Sequence, residues 1–384
     1  MTNDKKTVMH ITGTMNFGGA EVLMMNIVRK LHSRFNFVFL INTKKGEVVK
    51  GDFDDEILAL GCKIIYCNSI RSVGITAYQK ELVALLKEHK PDVVHCHLNA
   101  KCGVIAKCAY KAGIKKIISH SHAKLKFKGN LLKSALSYAE LYWQKTMINK
   151  YSTDFWGCSN EALDSLYYKK TRKSERCKVV SNLIDAERFI YPNEESVKRY
   201  NKEYNPNGKF SIGVVGRIAP VKNYLFAIDV VNELKNQNKD FVFFIVGLKQ
   251  NAEYTEKLFA KVSEYGLNDY VVYVPPKQDV ENAYAIMNVV LGTSIREGFS
   301  LTAVEAQLSG AYTLLSNGYP KEVNLGAGNC EHIETFDAKL WAEKVAFAME
   351  NQIEASPNAR KNALVNRGFD LDEEVNKIAK EYEK

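Results

Sequence analysis

No window of the 384-residue sequence holds the run of about 18 apolar residues that a membrane-spanning helix needs, so the chain is expected to be soluble or to lie on a membrane surface. Met1 to Lys6 are polar and charged, and His10, Thr12 and Gly13 break the apolar stretch that follows, so no signal peptide is expected. The eight cysteines form no CxxC pair. Several fall in apolar segments where a free thiol behaves as a small hydrophobe, which points to a reduced protein of the cytoplasm. Low-complexity segments are missing too, as is any repeat beyond an alternation of short apolar runs with amphipathic segments. Val93 to Ala139 contains no Asp or Glu but nine lysines, among them Lys124, Lys126, Lys128 and Lys133. Such a stretch suits an anionic surface, either lipid headgroups or nucleic acid, although a charge run is most often a solvated helix face.

The charge is divided unevenly. Residues 1–190 carry 31 basic and 17 acidic side chains, a balance of +14, and the remainder carries 22 and 27, a balance of −5. A prior of roughly 150 residues per domain allows two or three domains, and we read two.

Val8–Thr12, Phe37–Ile41, Lys63–Cys67, Val93–His97 and Lys116–His120 read as strands. Ala20–Leu31, Thr76–His89 and Lys101–Ala112 between them have helical apolar spacing. Leu183–Lys209, with Pro192, Pro206 and Gly208 and no sustained apolar pattern, reads as an inter-domain connection. The alternation then restarts, with strands at Phe210–Val215, Phe241–Val246, Val271–Val274, Val289–Gly292 and Tyr312–Leu315. The expected architecture is α/β: two doubly wound, Rossmann-like parallel-sheet domains facing each other across a cleft. The expected boundaries are 1–190 and 191–370, with a C-terminal helix over 371–384 that packs back on the first domain. Ligands in such sheets bind at the carboxyl ends of the strands, which directs attention to the loops there.

The first such loop, Gly13-Thr-Met-Asn-Phe-Gly18-Gly19-Ala20-Glu21, is neither a GxGxxG fingerprint nor a P-loop. It leaves a glycine pair at a helix N-terminus, where free N–H groups favour an anion or a sugar edge, or simply a turn. In the second half, Gly216-Arg217-Ile-Ala-Pro220-Val-Lys222-Asn223 places two cations at a strand end. Cations so placed can neutralise a diphosphate leaving group without a divalent metal. Arg296-Glu297-Gly298-Phe299-Ser300-Leu-Thr302-Ala-Val-Glu305 supplies two acids. Thr302-Ala-Val-Glu305 has the form of a capping box, which would occupy Glu305 without any ligand, whereas Glu297 beside Gly298 suits bidentate bonding to vicinal sugar hydroxyls. His95, His97, His120 and His122 end two strands, near Cys96 and Cys102. A zinc site is the minor reading, because His-x-His on one strand presents a single face and no complementary pair has metal-ligand spacing.

Taken together, these motifs resemble glycosyltransferase family 4, the retaining sugar-nucleotide transferases of GT-B architecture. Gly18-Gly19-Ala20-Glu21, His120-Ser121-His122, Val215-Gly216-Arg217 with Lys222, and Glu297-x7-Glu305 occur in that family's order. Asp92-Val-Val-His95 and Ile118-Ser-His-Ser-His122 look most like the branch that builds exopolysaccharide and capsule. The resemblance implies that Arg217 and Lys222 hold the donor diphosphate, that Glu297 and the amides of Gly298, Phe299 and Ser300 hold the donor sugar, and that Glu305 binds the ribose. It implies that Gly18 and Gly19 approach the diphosphate and that His122, with His120, lines the sugar pocket. No cofactor or metal is expected, and no enzymic nucleophile. The expected partners are a nucleotide diphosphate sugar, with UDP as its nucleotide, a lipid-linked glycan acceptor, and an anionic membrane met through Lys124, Lys126, Lys128 and Lys133; nucleic acid is not expected. The resulting location is the cytoplasm, peripheral to its membrane. Other readings are a different GT-B enzyme (epimerase or phosphorylase) and a basic nucleic-acid- or membrane-binding module. The chain departs from the family pattern at Asn182-Leu183-Ile184-Asp185 and at Gly247-Leu248-Lys249.

Overall fold

The computed structural model describes residues 5–123, 125, 131–180, 183–275, 279–297, 299–369 and 371–384, with side chains of 131–135 excepted. It divides into two compact units, Met1–Leu183 with Asp370–Lys384, and Ile184–Phe369.

The first unit runs β1 (Thr7–Thr12), α1 (Gly19–Leu31), β2 (Asn36–Thr43), α2 (Asp54–Ala59), β3 (Lys63–Asn68), α3 (Ile70–His89), β4 (Val93–Cys96), α4 (Cys102–Lys111), β5 (Lys116–Ser121), α5 (Leu131–Tyr151), β6 (Asp154–Gly157), α6 (Asn160–Leu166), α7 (Lys169–Arg172) and β7 (Cys177–Val179). Its seven described strands form one sheet in the order β3-β2-β1-β4-β5-β6-β7, every described pairing parallel. Side chains alternate between faces with period two. Val8, Phe37 and Phe39 therefore join Met24 and Ile27 of α1 in one core, while Met9, Ile11, Val38 and Leu40 join Leu82 of α3 and Ile105 of α4 in the other. Burial on both faces explains why these strands read as nearly unbroken apolar runs. Gly74, at φ +79°, breaks α3 near its start, a conformation that favours glycine.

The second unit begins with two helices, α8 (Ala186–Ile190) and α9 (Glu194–Tyr204), where the sequence reading placed a connection. Phe189, Ile190 and Tyr200 are buried in its core, and Asn193 caps α9 by accepting from Ser196 N–H, so the stretch is part of the domain. The unit continues with β8 (Phe210–Val215), α10 (Tyr224–Asn236), β9 (Phe241–Val246), α11 (Ala252–Glu264), β10 (Val271–Val274), α12 (Val280–Ala285), β11 (Val289–Gly292), α13 (Leu301–Ser309), β12 (Tyr312–Ser316), β13 (Cys330–Ile333), α14 (Ala338–Glu350) and α15 (Pro357–Asn366). Its sheet order is β10-β9-β8-β11-β12-β13, again parallel. The last helix, α16 (Leu371–Glu383), belongs to the first unit, where Leu371, Val375, Ile378 and Tyr382 enter the α1 core.

Both sheets have the doubly wound order, which reverses direction between β1 and β4 in one and between β8 and β11 in the other. At such a reversal the following loops diverge and leave room for a ligand at the strand ends.

Candidate active site

In the second unit the loops after β8 and β11 meet at that reversal. The Ile295 amide donates to Val221 O at 2.9 Å, and Thr293 Oγ1 donates to Lys222 O at 2.8 Å. Behind them, Gly216 (φ +143°) and Gly247 (φ +151°) approach so closely that a Cβ on Gly247 would lie 1.7 Å from Gly216 O. Only glycine fits there. Gly247 is thus needed for the packing of two loops even though the chain departs from the family pattern immediately after it.

This tie places Lys222 Nζ 2.7 Å from Glu297 Oε1, each side chain 14% exposed. Ser294 Oγ donates to the same oxygen at 2.6 Å, and the Glu297 amide donates to Gly318 O at 2.8 Å. Ser294 is in turn held by Tyr319 OH at 3.1 Å and, through its carbonyl, by Ser316 Oγ at 2.6 Å. Glu297 therefore sits in a fixed orientation beside a cation. Arg217 is exposed, with Nη1 donating to Gln250 Oε1 at 3.1 Å. Gly298 lies outside the described residues. Phe299 packs on Phe369, with ring centroids 5.0 Å apart, and Ser300 is the N-cap residue of α13.

Glu305 is not in a capping box. Helix α13 starts at Leu301, no side chain caps its N-terminus, and Ser300 Oγ pairs with Thr302 Oγ1 at 3.0 Å. Glu305 lies a turn further on and accepts from Tyr284 OH at 3.1 Å. Burial pushes its carboxyl up to about 7, against the Tyr284 hydrogen bond and the charges of Arg188 and Lys222. Arg188 is itself paired with Glu281 at 2.8 Å. Lys222, Glu297 and Glu305 thus form one electrostatic cluster. Sequence reasoning missed its supports, Arg188, Tyr284, Ser294 and Tyr319, which come from separate elements and carry no local pattern.

In the first unit, Gly18 is the N-cap of α1, and Glu21 folds back over it: a Cβ on Gly18 would meet Glu21 Oε2 at 2.3 Å. An acid of its own helix covers this N-terminus, and burial raises the Glu21 pKa. His95 and His97 at the end of β4, and His120 and His122 at the end of β5, come together with His10 of β1, which sequence reading treated only as a break in an apolar run. His10 stands opposite His95 in the β1–β4 register. His10 Nδ1 and His97 Nε2 are 2.9 Å apart, His97 Nδ1 and His122 Nε2 2.9 Å, and His95 Nε2 and His120 Nδ1 3.1 Å. Tyr382 OH lies 2.8 Å from His95 Nδ1. Burial lowers every one of these pKa values, that of His10 to about 3 and that of His122 to about 4, so the rings are neutral at pH 7.

Lys124, Lys126 and Lys128 lie outside the described residues, as does the side chain of Lys133. Later in the sequence, Leu136, Tyr138, Tyr142 and Trp143 of α5 are exposed. A groove of about 590 Å³ is lined by Leu125, Tyr138, Leu141, Tyr142 and Lys145 together with Glu161, Asp164 and Ser165. Among the described residues no helix is long and apolar enough to cross a membrane.

Two family models match, one to each half: Glycosyltransferase Family 4 over residues 17–188 and Glycosyl transferases group 1 over residues 197–365. The chain is 26% identical to the protein EpsF of Bacillus subtilis, over all of this chain and 97% of that one. It is 26% identical to the capsular polysaccharide biosynthesis glycosyltransferase CapH of Staphylococcus aureus, over 81% of each. A relative from Escherichia coli, 25% identical over 70% of this chain and 68% of its own, is a UDP-Gal:alpha-D-GlcNAc-diphosphoundecaprenol alpha-1,3-galactosyltransferase. Among solved structures, Anabaena HepE in complex with UDP-glucose superposes with a TM-score of 0.76 at 18% identity, over 97% of this chain and 98% of that one. With a GT-B fold and both family models matched in order, over 17–188 and 197–365, the chain belongs to glycosyltransferase family 4 and is similar to glycosyltransferases of capsule synthesis.

Proposed function

We propose that this glycosyltransferase of polysaccharide biosynthesis moves a hexose from a UDP-sugar, with retention, onto a lipid-linked glycan held at the cytoplasmic face of a membrane. The observation that carries the donor half is the Lys222–Glu297–Glu305 cluster at the reversal point of the second sheet. Arg217 and Lys222 would neutralise the diphosphate, Glu297 would accept from hydroxyls of the transferred sugar, and Glu305 from the ribose. Two cations at the leaving group make a divalent metal unnecessary. In this reading the acceptor hydroxyl attacks the anomeric carbon from the side the diphosphate is leaving and passes its proton to that phosphate. One C–O bond forms as another breaks, with no covalent enzyme intermediate.

The UDP-glucose complex of HepE supports the nucleotide, and the diphosphoundecaprenol acceptor of the Escherichia coli relative supports a lipid-linked acceptor. The exposed aromatic residues of α5 beside a lysine-rich stretch support membrane contact. The test is a thermal-shift panel of UDP-, GDP- and ADP-sugars, since a ligand that binds only the folded state raises Tm by mass action. The anomeric configuration of the product then follows by NMR. Protection by GDP- or ADP-sugars alone, or an inverted product, would overturn this assignment.

A further inference from the structure

Tyr284, on α12, is fully buried, and its ring meets Phe189 of α8 edge-on with centroids 5.9 Å apart. The ring is thereby held in place, and its hydroxyl stands between two acceptors of α13, Glu305 Oε2 at 3.1 Å and Thr302 O at 3.2 Å. A phenol has one proton to donate and lone pairs with which to accept. It can serve one of these acceptors at a time, and the charge of Glu305 decides which. An ionised carboxylate is the stronger acceptor and takes the phenol's hydrogen bond. A protonated carboxyl has a proton of its own, which it donates to the phenol oxygen while the phenol donates to Thr302 O. The hydroxyl is satisfied in both states, so Glu305 can change charge without leaving a buried O–H orphaned. Only Oε2 is engaged in this way. Among the described residues no hydrogen bond reaches Glu305 Oε1, and Glu305 itself is half-buried.

We propose that Tyr284 is a positioning residue for donor binding: its hydroxyl holds Glu305 Oε2, leaves Oε1 to the donor, and turns its one proton to Thr302 O when Glu305 is protonated. This rests on the reading of Glu305 as the ribose ligand and goes beyond it by naming the group that governs its charge. The proton taken up comes from solvent and resides on Glu305. The phenol stays neutral throughout, because burial and the carboxylate beside it push its pKa far above the ordinary range. Burial brings the Glu305 carboxyl up to about 7, so both states are populated near neutral pH. The Tyr284 hydrogen bond opposes that rise, as do the charges of Arg188 on α8 and Lys222 after β8, while Glu281 on α12 adds to it. Arg188 is paired with Glu281 at 2.8 Å and Lys222 with Glu297 at 2.7 Å, so each of these charges reaches Glu305 partly cancelled. Arg360 of α15 meets α13 at its other end, through Leu308 O. Tyr284 is left as the direct donor to the carboxylate.

Tyr284→Phe keeps the ring and removes the hydroxyl. Its effect is read by carbon-13 NMR of the glutamate-labelled full chain across pH, with the Glu305 signal identified by its loss in Glu305→Gln. Calorimetric titration with UDP-glucose from pH 6 to pH 9 and donor-saturation kinetics run beside it. Losing a hydrogen bond to a charged group should move the Glu305 midpoint up by roughly one pH unit or more. Donor Kd and KM should then rise about fivefold at pH 7 and less than about twofold at pH 9, with kcat little changed. Tyr312→Phe, which takes another buried phenol hydroxyl away from Glu331 in the same sheet, should leave the midpoint and the donor profile unchanged. A merely structural role for Tyr284 would lower Tm without moving the midpoint. The proposal is overturned by a midpoint that stays in place in Tyr284→Phe, or by a wild-type Glu305 that titrates in the ordinary carboxylate range, a measurement that needs no variant. A midpoint that moves while UDP-glucose affinity is independent of pH upholds the link from Tyr284 to Glu305 and overturns the donor reading instead.

Discussion

Glu305 gives the donor reading a pH signature. Its carboxyl titrates at about 7, so roughly nine-tenths of the sites are ionised at pH 8 and one-tenth at pH 6. Ribose hydroxyls donate to a carboxylate and would stabilise the ionised form, so donor affinity should rise with pH through 7 and level off above it. The expected change in Kd between pH 6 and pH 8 is about tenfold, or ~1.4 kcal/mol. For the empty protein the sign is opposite. A carboxyl raised from 4.5 keeps an extra proton in the folded state between about 4.5 and 7, so stability falls as pH rises across that window. The full shift corresponds to at most about 3 kcal/mol. Glu305→Gln should therefore raise Tm at pH 8 and change it little at pH 5, while flattening the pH dependence of donor binding. The assay is calorimetric titration with UDP-glucose, whose diphosphate diester has no ionisation of its own in this range, at pH 6, 7 and 8 in two buffers that differ in ionisation enthalpy. A wild-type Kd equal at pH 6 and 8, or the same slope in Glu305→Gln, would refute the reasoning.

Glu297→Gln should lower kcat by a factor of order 10² with a small change in donor KM, whereas Glu305→Gln should act mainly on KM; an unchanged kcat in a folded Glu297→Gln protein would remove the donor site as drawn. The same Glu297 variant leaves Lys222 without its carboxylate and should also melt earlier, which a thermal scan alongside the kinetics will show. Transfer should continue in EDTA without added Mg²⁺ or Mn²⁺, and activity lost to EDTA and restored by either ion would count against the Arg217/Lys222 role. The chain should pellet with anionic vesicles in low salt and be released by high salt, at about 1 kcal/mol per basic residue near the surface, with Trp143→Ala weakening it; equal pelleting with neutral vesicles would exclude electrostatic docking.

The fold was legible where burial on both faces writes a strand as an apolar run, as in Phe241–Val246, whose six residues are all buried. It was illegible where elements are short or polar. Helix α9, Glu194-Glu-Ser-Val-Lys-Arg-Tyr-Asn-Lys-Glu-Tyr204, buries only Tyr200, so it has no apolar stripe to announce it, although Asn193 was a readable cap. Strands β6 and β13, Asp154-Phe-Trp-Gly157 and Cys330-Glu-His-Ile333, mix polar with apolar residues, so neither shows as an apolar run as the equally short β10 and β11 do. The Thr302–Glu305 pattern matched a capping box in letters while the chain started its helix at Leu301, because cap geometry depends on backbone angles that spacing does not encode.

The two charged loops were legible because strand ends in a parallel sheet are where ligands bind, but their coupling was not. In the Lys222–Glu297 ion pair the carboxylate balances the lysine charge, so Lys222 would neutralise the diphosphate only as Glu297 turns to the hydroxyls of the transferred sugar, and it would attract the donor little before then. Attraction would fall to Arg217, which is exposed and paired only with the neutral Gln250 among the described residues. The histidines show the same limit from another side. His10, His95 and His120 stand on strands separated by tens of residues, and only the order β1-β4-β5, a tertiary fact, places them side by side. A count along the sequence finds two His-x-His pairs, and it is the pairing of β4 with β5, not any spacing along the chain, that brings the two together.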